Sequence, residues 1–268
     1  MNSTSSIHAP AALFLKAFLL VLGSFCGAAL KVPAATVSIQ PIADTTLNQS
    51  YPNNNFGDGT TFTAGDRRYG GVTRSLMEFD IAGNVPSGAT INSVSLTLHV
   101  VKTPDGGTAS NFDLRRLINS WGEGTGSDMR GTSASANQAT WNARFALGSS
   151  WNTPGGDFAP IVSASQRITG NGAYTFASTD TLVSDVQNWL RNPANNDGWI
   201  LMSESENFGT TIRRFGSRDS GLNAPTLTID FTPVPEPGTW GLLGLAAVCV
   251  TTAPVLRRWY SFCRPRQR

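Results

Sequence analysis

The chain has 268 residues, 40% of them hydrophobic, a formal net charge of +2 and three cysteines. Cys26, Cys249 and Cys263 all fall in the terminal segments, so the body from Thr36 to Pro233 has no disulfide and no thiol chemistry. That body carries 13 basic and 17 acidic residues, which argues against nucleic acid or anionic lipid as its main partner, and its single histidine, His99, excludes zinc sites built on His and Cys.

In chain order, Lys16 precedes an apolar run, Ala17–Leu30, and then "KVPAA" at Lys31–Ala35. A basic start, a short apolar stretch and a small-x-small site predict a signal peptide over residues 1–34, cut after Ala34. Short strands follow at Thr36–Ile42, Thr60–Gly65, Arg74–Ile81, Ile91–Val100 and Asn111–Ile118. In "INSVSLTLHV" the apolar Val94, Leu96, Leu98 and Val100 alternate with Ser95, Thr97 and His99, which puts His99 on the polar face. More strands are expected at Ala173–Ser178, Gly198–Ser203, Thr211–Ser217 and Pro225–Phe231. One helix spans Ser178–Pro193, with Leu182, Val183, Val186, Trp189 and Leu190 on one face, Thr179 or Asp180 as cap and Asn192-Pro193 as stop. Many short strands with regular turns predict an all-β body, a β-sandwich or jelly roll with one short helix, over residues 36–232.

Residues 233–268 form a third region. The apolar run Thr239–Leu256 has roughly the 18 residues that a membrane crossing requires at its lower limit. Arg257, Arg258, Arg264, Arg266 and Arg268 follow it and would hold that end in the cytoplasm, with the body facing outward. Pro235-Glu236-Pro237, this transmembrane helix and Arg257-Arg258 together resemble the PEP-CTERM sorting signal of Gram-negative bacteria. The resemblance implies an exosortase as partner, transient anchoring in the inner membrane and a final place at the outer surface or outside the cell.

The body has a resemblance of its own. "ADTTLNQSYPNNNFGDGTTFTAGD", "TRSLMEFDIAGNVPSGATINSVSLTLHV", "RRLINSWGEGT", "ATWNARF", "VSDVQNWLRNPANNDGWILMS" and "RRFGSRDSGLNAPTLTIDF" occur in the order seen in DNRLRE-domain proteins. These resemble jelly-roll modules described as carbohydrate-binding. The resemblance implies polysaccharide as a ligand. With no companion catalytic domain, binding would be the role of the whole protein.

Candidate residues follow from sugar chemistry. Trp151, in the Gly/Pro-rich loop "SSWNTPGG", is the expected stacking platform, with Tyr51 and Tyr69 next. Trp189 and Trp199 read as core, and Trp121 and Trp141 as packing beneath loops. Arg67, Arg68 and the pair Arg213-Arg214 would bind uronate or sulfate, Arg213 foremost, although neighbours on a strand point to opposite faces. Arg74 and Arg218 are expected to be structural, pairing with Asp80, Glu78 or Asp219. Asp44, Asp58, Asp66 and Asp80 are candidate ligands of a structural calcium ion. "NNNFGDG" at Asn53–Gly59 otherwise reads as a plain turn. No nucleophile elbow, metal-ligating histidine pair or phosphate loop appears, so the protein reads as non-catalytic. The expectation is an exported polysaccharide-binding protein of the envelope or biofilm matrix. The alternatives are a self-assembling adhesive protein and, less favoured, a polysaccharide lyase or hydrolase using His99, Lys102, Tyr51, Tyr69 or Tyr174.

Overall fold

The strands of this protein pair antiparallel throughout, and one continuous sheet curls until its two halves face each other. The computed structural model describes residues 33–68, 71–127, 130–206 and 208–234. The expected signal peptide as far as Val32, the apolar C-terminal run, the residues Pro235, Glu236, Pro237, Arg257 and Arg258 of the sorting resemblance, and Tyr69 lie outside the described residues. Among the described residues no helix is long and apolar enough to cross a membrane.

The strands are β1 (Ala35–Ile39), β2 (Ala43–Asn48), β3 (Asn54–Asn55), β4 (Thr61–Asp66), β5 (Val72–Glu78), β6 (Thr90–Lys102), β7 (Ser110–Leu117), β8 (Thr132–Ser133), β9 (Ala143–Phe145), β10 (Ser149–Ser150), β11 (Phe158–Ile168) and β12 (Gly172–Phe176). Helix α1 (Asp180–Arg191) precedes β13 (Trp199–Ser203), β14 (Arg213–Gly216) and β15 (Thr226–Thr232). The sheet runs β1-β15-β6-β14-β4-β5-β13-β7-β11, with β12 on the other edge of β6 and β2 beside β5. Ala35 pairs with Phe231 and Thr232 with Thr90, so the body begins and ends at one pole while β6 runs to the other.

Strand β4 makes the fold turn from one layer to the other. Thr61–Ala64 pair with β14, whereas Gly65 and Asp66 pair with β5. Gly65 sits at φ 110°, and a Cβ there would lie 2.7 Å from the Ile212 backbone. Only glycine adopts this corner without strain.

The main core fills the space between the layers. Val94, Leu96 and Leu98 of β6 and Leu227 and Ile229 of β15 face Phe112, Leu114, Trp199 and Leu201. Helix α1 closes one end of that space with Leu182, Val186, Trp189 and Leu190. Its start is capped by Thr179, whose hydroxyl accepts the Leu182 N–H at 3.0 Å. Trp189 meets Trp199 edge to face at 4.5 Å. Such a pair adds about 1 kcal/mol beyond its buried area. Buried Asp185 ties the helix down, accepting from Ser163 Oγ at 2.5 Å and Trp199 Nε1 at 3.0 Å and pairing with Arg116 at 3.4 Å.

A second core lies on the outer face of the β2-β5-β13-β7 layer. Leu47, Leu76, Leu117 and Ile200 are covered there by Trp121, Ala139, Trp141 and Trp151 from the long segment 118–157. Arg74 pins this cover. Its Nε and Nη2 each donate to Glu206 at 2.8 Å, its Nη1 donates to the Gly155 carbonyl at 2.9 Å, and its guanidinium lies over Trp141 at 5.3 Å. The partner is thus Glu206 rather than Asp80 or Glu78. Arg218 pairs with Asp219 at 3.6 Å and also with Glu123 at 3.1 Å.

Two strands depart from the expected pattern. The run Thr36–Ile42 breaks after Ile39, and β2 follows it as a strand of buried polar residues, Asp44, Thr45, Thr46 and Asn48. Strand β11 has register shifts at Phe158/Val162 and Val162/Ala164, and these bulges erase its two-residue alternation.

Replacing Gly65 by Ala is expected to destabilise the body by about 3 kcal/mol, from positive φ and the backbone clash together, read as a lowered midpoint in thermal or urea unfolding.

Candidate functional site

Three neighbouring strands at the pole away from Ala35 and Thr232 set out the site. In β14 the side chains of Arg213 and Arg214 point to opposite faces, inward and outward. Arg214 pairs in register with Lys102 of β6 on one side and Thr63 of β4 on the other. Two cations therefore stand directly opposite each other on adjacent strands, an arrangement that costs stability unless a negative charge sits between them. Among the described residues neither Arg214 nor Lys102 nor Arg67 is ion-paired with a carboxylate.

Arg67 and Arg68 follow β4, Tyr51 comes from the turn after β2, and Arg130 from the long segment that covers the outer face. Together with Lys102 and Arg214 they line a cleft of about 690 Å³, in which Asp105 is the one acidic side chain among the described lining residues. Phe208, two residues before the cleft-lining Thr210, has 73% of its surface exposed. The next residue, Gly209, packs so closely on Arg68 that a Cβ would lie 2.8 Å from the Arg68 Cα, and Thr210 lines the cleft itself. A smaller cavity of about 200 Å³ adjoins the cleft and shares Thr63, Arg67 and Arg214 with it.

The structure thus brings Tyr51, Arg67 and Arg68 together and corrects two other expectations. Arg213 is fully buried and does not reach the cleft surface. Its Nη1 donates to the Ile212 and Thr211 carbonyls at 2.9 and 3.1 Å, and its Nη2 to the Thr108 carbonyl at 2.8 Å. It staples two loops under the cleft, and burial lowers its pKa from the usual guanidinium value. Arg214 takes the surface role. Trp151 is only 4% exposed, with its Nε1–H donated to the Thr140 carbonyl at 2.9 Å. Its loop folds back onto the sheet, so the indole packs rather than stacks on ligand. Phe208, a lone aromatic in a polar stretch, is the exposed ring that sequence reasoning passed over.

The four aspartates do not converge. Asp44 is buried, accepting the Arg218 backbone N–H at 2.7 Å, and Asp58 is exposed. Asp66 is buried at the end of β4, and Asp80 accepts the Gly83 N–H in a turn. Among the described residues no group of three or more His, Cys, Asp or Glu side chains is placed to hold a metal ion. "NNNFGDG" is also more than a turn, because Asn55 is fully buried within it. Its Nδ2 donates to the Glu123 and Ala139 carbonyls at 2.6 and 2.9 Å, and its Oδ1 accepts Gly57 and Gly126 N–H groups at 3.0 and 2.9 Å.

A carboxylate cluster lies apart from the cleft. Burial raises the Asp44 carboxyl to about 7 against the Arg218 N–H that lowers it. Glu78 also rises to about 7, through burial first and then the nearby charges of Asp197, Asp80 and Glu123. Glu123 is raised by burial too, while accepting the Asp44 N–H at 2.8 Å.

Similarity to known families agrees with this geometry. Residues 35–155 match the model of carbohydrate-binding module family 96. Residues 233–258 match the PEP-CTERM protein-sorting motif, and no curated protein matches the chain. The module match implies carbohydrate binding and the motif implies export by way of an exosortase. The matched segment holds every basic residue lining the cleft except Arg214, which β14 supplies from beyond it.

Two outcomes are expected. Trp151→Ala should cost about 3–5 kcal/mol in unfolding experiments and leave ligand affinity per folded molecule unchanged. Asp44 and Glu78 hold protons more tightly folded than unfolded, so the folded state binds more protons between about pH 4 and 7 and stability falls as pH rises through that window. The melting temperature should therefore climb as pH is lowered from 8 toward 5, and Glu78→Gln should flatten that climb.

Proposed function

We propose that this protein is an exported, non-catalytic polysaccharide-binding protein of the cell envelope or extracellular matrix, and that its basic cleft holds a polymer bearing carboxylate or sulfate groups. The observation that carries this reading is the cross-strand pair of like charges, Arg214 opposite Lys102, at the floor of a cleft to which Arg67 also contributes. A polymer carboxylate between them would turn a repulsion into two charge-assisted hydrogen bonds, and arginine's planar fork suits a carboxylate held by two nitrogens. Tyr51 in the cleft and the exposed Phe208, two residues before the cleft-lining Thr210, offer ring faces to the apolar side of a sugar. The match to a carbohydrate-binding module supports the ligand class, and the sorting motif supports an address outside the cytoplasm.

The test is binding of the full-length chain to polygalacturonate and to neutral dextran, in low and high salt. The charged polymer should bind, the neutral one should not, and affinity should drop as salt rises. Arg214→Ala should weaken binding roughly tenfold or more by removing a charge-assisted contact. Phe208→Ala should weaken it about fivefold, with an unchanged melting temperature because the ring is exposed. Equal binding of both polymers, or a neutral Arg214→Ala, would sink this reading.

A further inference from the structure

We propose that the cleft and the smaller cavity beside it form one bent groove, and that its ligand is an internal stretch of polysaccharide in which an anionic sugar is followed by an uncharged one. This rests on the polysaccharide-binding reading of the cleft. The two spaces share Thr63, Arg67 and Arg214, so a chain lying in both passes the two arginines at the junction.

The two arms differ in chemistry. The larger one carries the cations. The smaller is walled by Thr46, Asn48, Thr60, Thr61 and Phe56 and by the backbone at Gly126, and its described lining holds no charged side chain besides the shared arginines. A second carboxylate pushed into this arm would be desolvated without a cation of its own, which is costly. Sugar hydroxyls meet the opposite situation. The Thr46 hydroxyl accepts the Thr63 N–H at 2.9 Å and keeps its own hydrogen to donate. The Asn48 Oδ1 accepts the Ser50 N–H at 3.0 Å, which leaves its amide nitrogen as a donor. Phe56 gives one apolar wall for a ring face.

The arm is also rigid where it needs to be. Gly126 is fixed by its N–H to Asn55 at 2.9 Å, and a Cβ on it would lie 2.0 Å from the Asn55 carbonyl oxygen. At about 200 Å³ the arm has less than a third of the volume of the basic cleft, so it takes a shorter piece of chain.

The test uses the full-length chain in titration calorimetry with two sets of oligosaccharides of equal carboxylate number. Oligogalacturonates are charged at every sugar, and hyaluronan oligosaccharides alternate a uronate with a neutral N-acetylhexosamine. The alternating set should bind about tenfold more tightly, the worth of one or two added hydrogen bonds. Ser127→Trp, an exposed position at the wall of the smaller arm, should abolish that preference and leave oligogalacturonate binding and melting temperature unchanged. Equal affinity for the two sets, or a preference that survives Ser127→Trp, overturns this inference while the basic cleft stands. Failure to bind either set, or insensitivity of both to Arg214→Ala, overturns the cleft reading and this inference with it.

Discussion

The side chain of Asn55 holds its own loop to the long segment that covers the outer face of the sheet. It can donate twice and accept twice at its amide, and in this buried place all of that capacity is used. The four partners come from its own loop and from residues 123–139 of the long segment that crosses the outer face. Removing the amide would leave buried carbonyls and N–H groups without partners, and each such orphan costs on the order of 1–3 kcal/mol. The wall at Gly126, the carbonyl of Glu123 and the cover over Leu47 and Leu76 are therefore set by one side chain. The tryptophans come next in this order of dependence: Trp121 and Trp151 donate their indole N–H to the Asp197 and Thr140 carbonyls and hold the segment flat against the sheet.

A sheet covered on both faces explains what the sequence shows and what it hides. Strand β6 has the inner core on one face and water on the other, so its alternation is plain and its extent was readable to within two residues at either end. The β2-β5-β13-β7 layer has a core on each side, and there alternation loses its meaning. Leu201 and Ile200 of β13 are neighbours, both fully buried, one in each core. Strand β2 fills its buried positions with Asp44, Thr45 and Thr46, which composition alone assigns to a loop. Helix α1, with one apolar stripe and a threonine cap, was legible almost to the residue because its signals are local.

The residues of the candidate cleft were half legible for a related reason. Residue type singled out Arg67, Arg68 and Tyr51, and the fold places all three in the lining of one cleft. Direction was beyond reach. Alternation states that Arg213 and Arg214 diverge, and only the position of the core, with Ala64 and Phe215 beside Arg213, decides which one meets solvent. Trp151 misled because a Gly/Pro-rich loop reads as exposed, and this one folds back to cover Ile200 and Leu47. The aspartates lie apart for local reasons that sequence does not show: Asp44 is drawn inward to the distant Arg218 N–H, whereas Asp80 closes its own turn on the Gly83 N–H.

The placing of Ala35 and Thr232 bears on how the body carries force. Ala35 and Thr232 sit at one pole, and the 13 residues of β6 carry the sheet about 40 Å to Lys102 at the other. A pull between a polymer held at Lys102 and Arg214 and the chain leaving at Thr232 runs along the strands. The rungs between β6 and β15, at right angles to that pull, are loaded in shear and share it, from Thr226–Thr97 to Thr232–Thr90. The same bonds pulled from one end would break singly, in sequence. A polymer held at the Lys102 pole would therefore load the body as a tie, in tension along its strands.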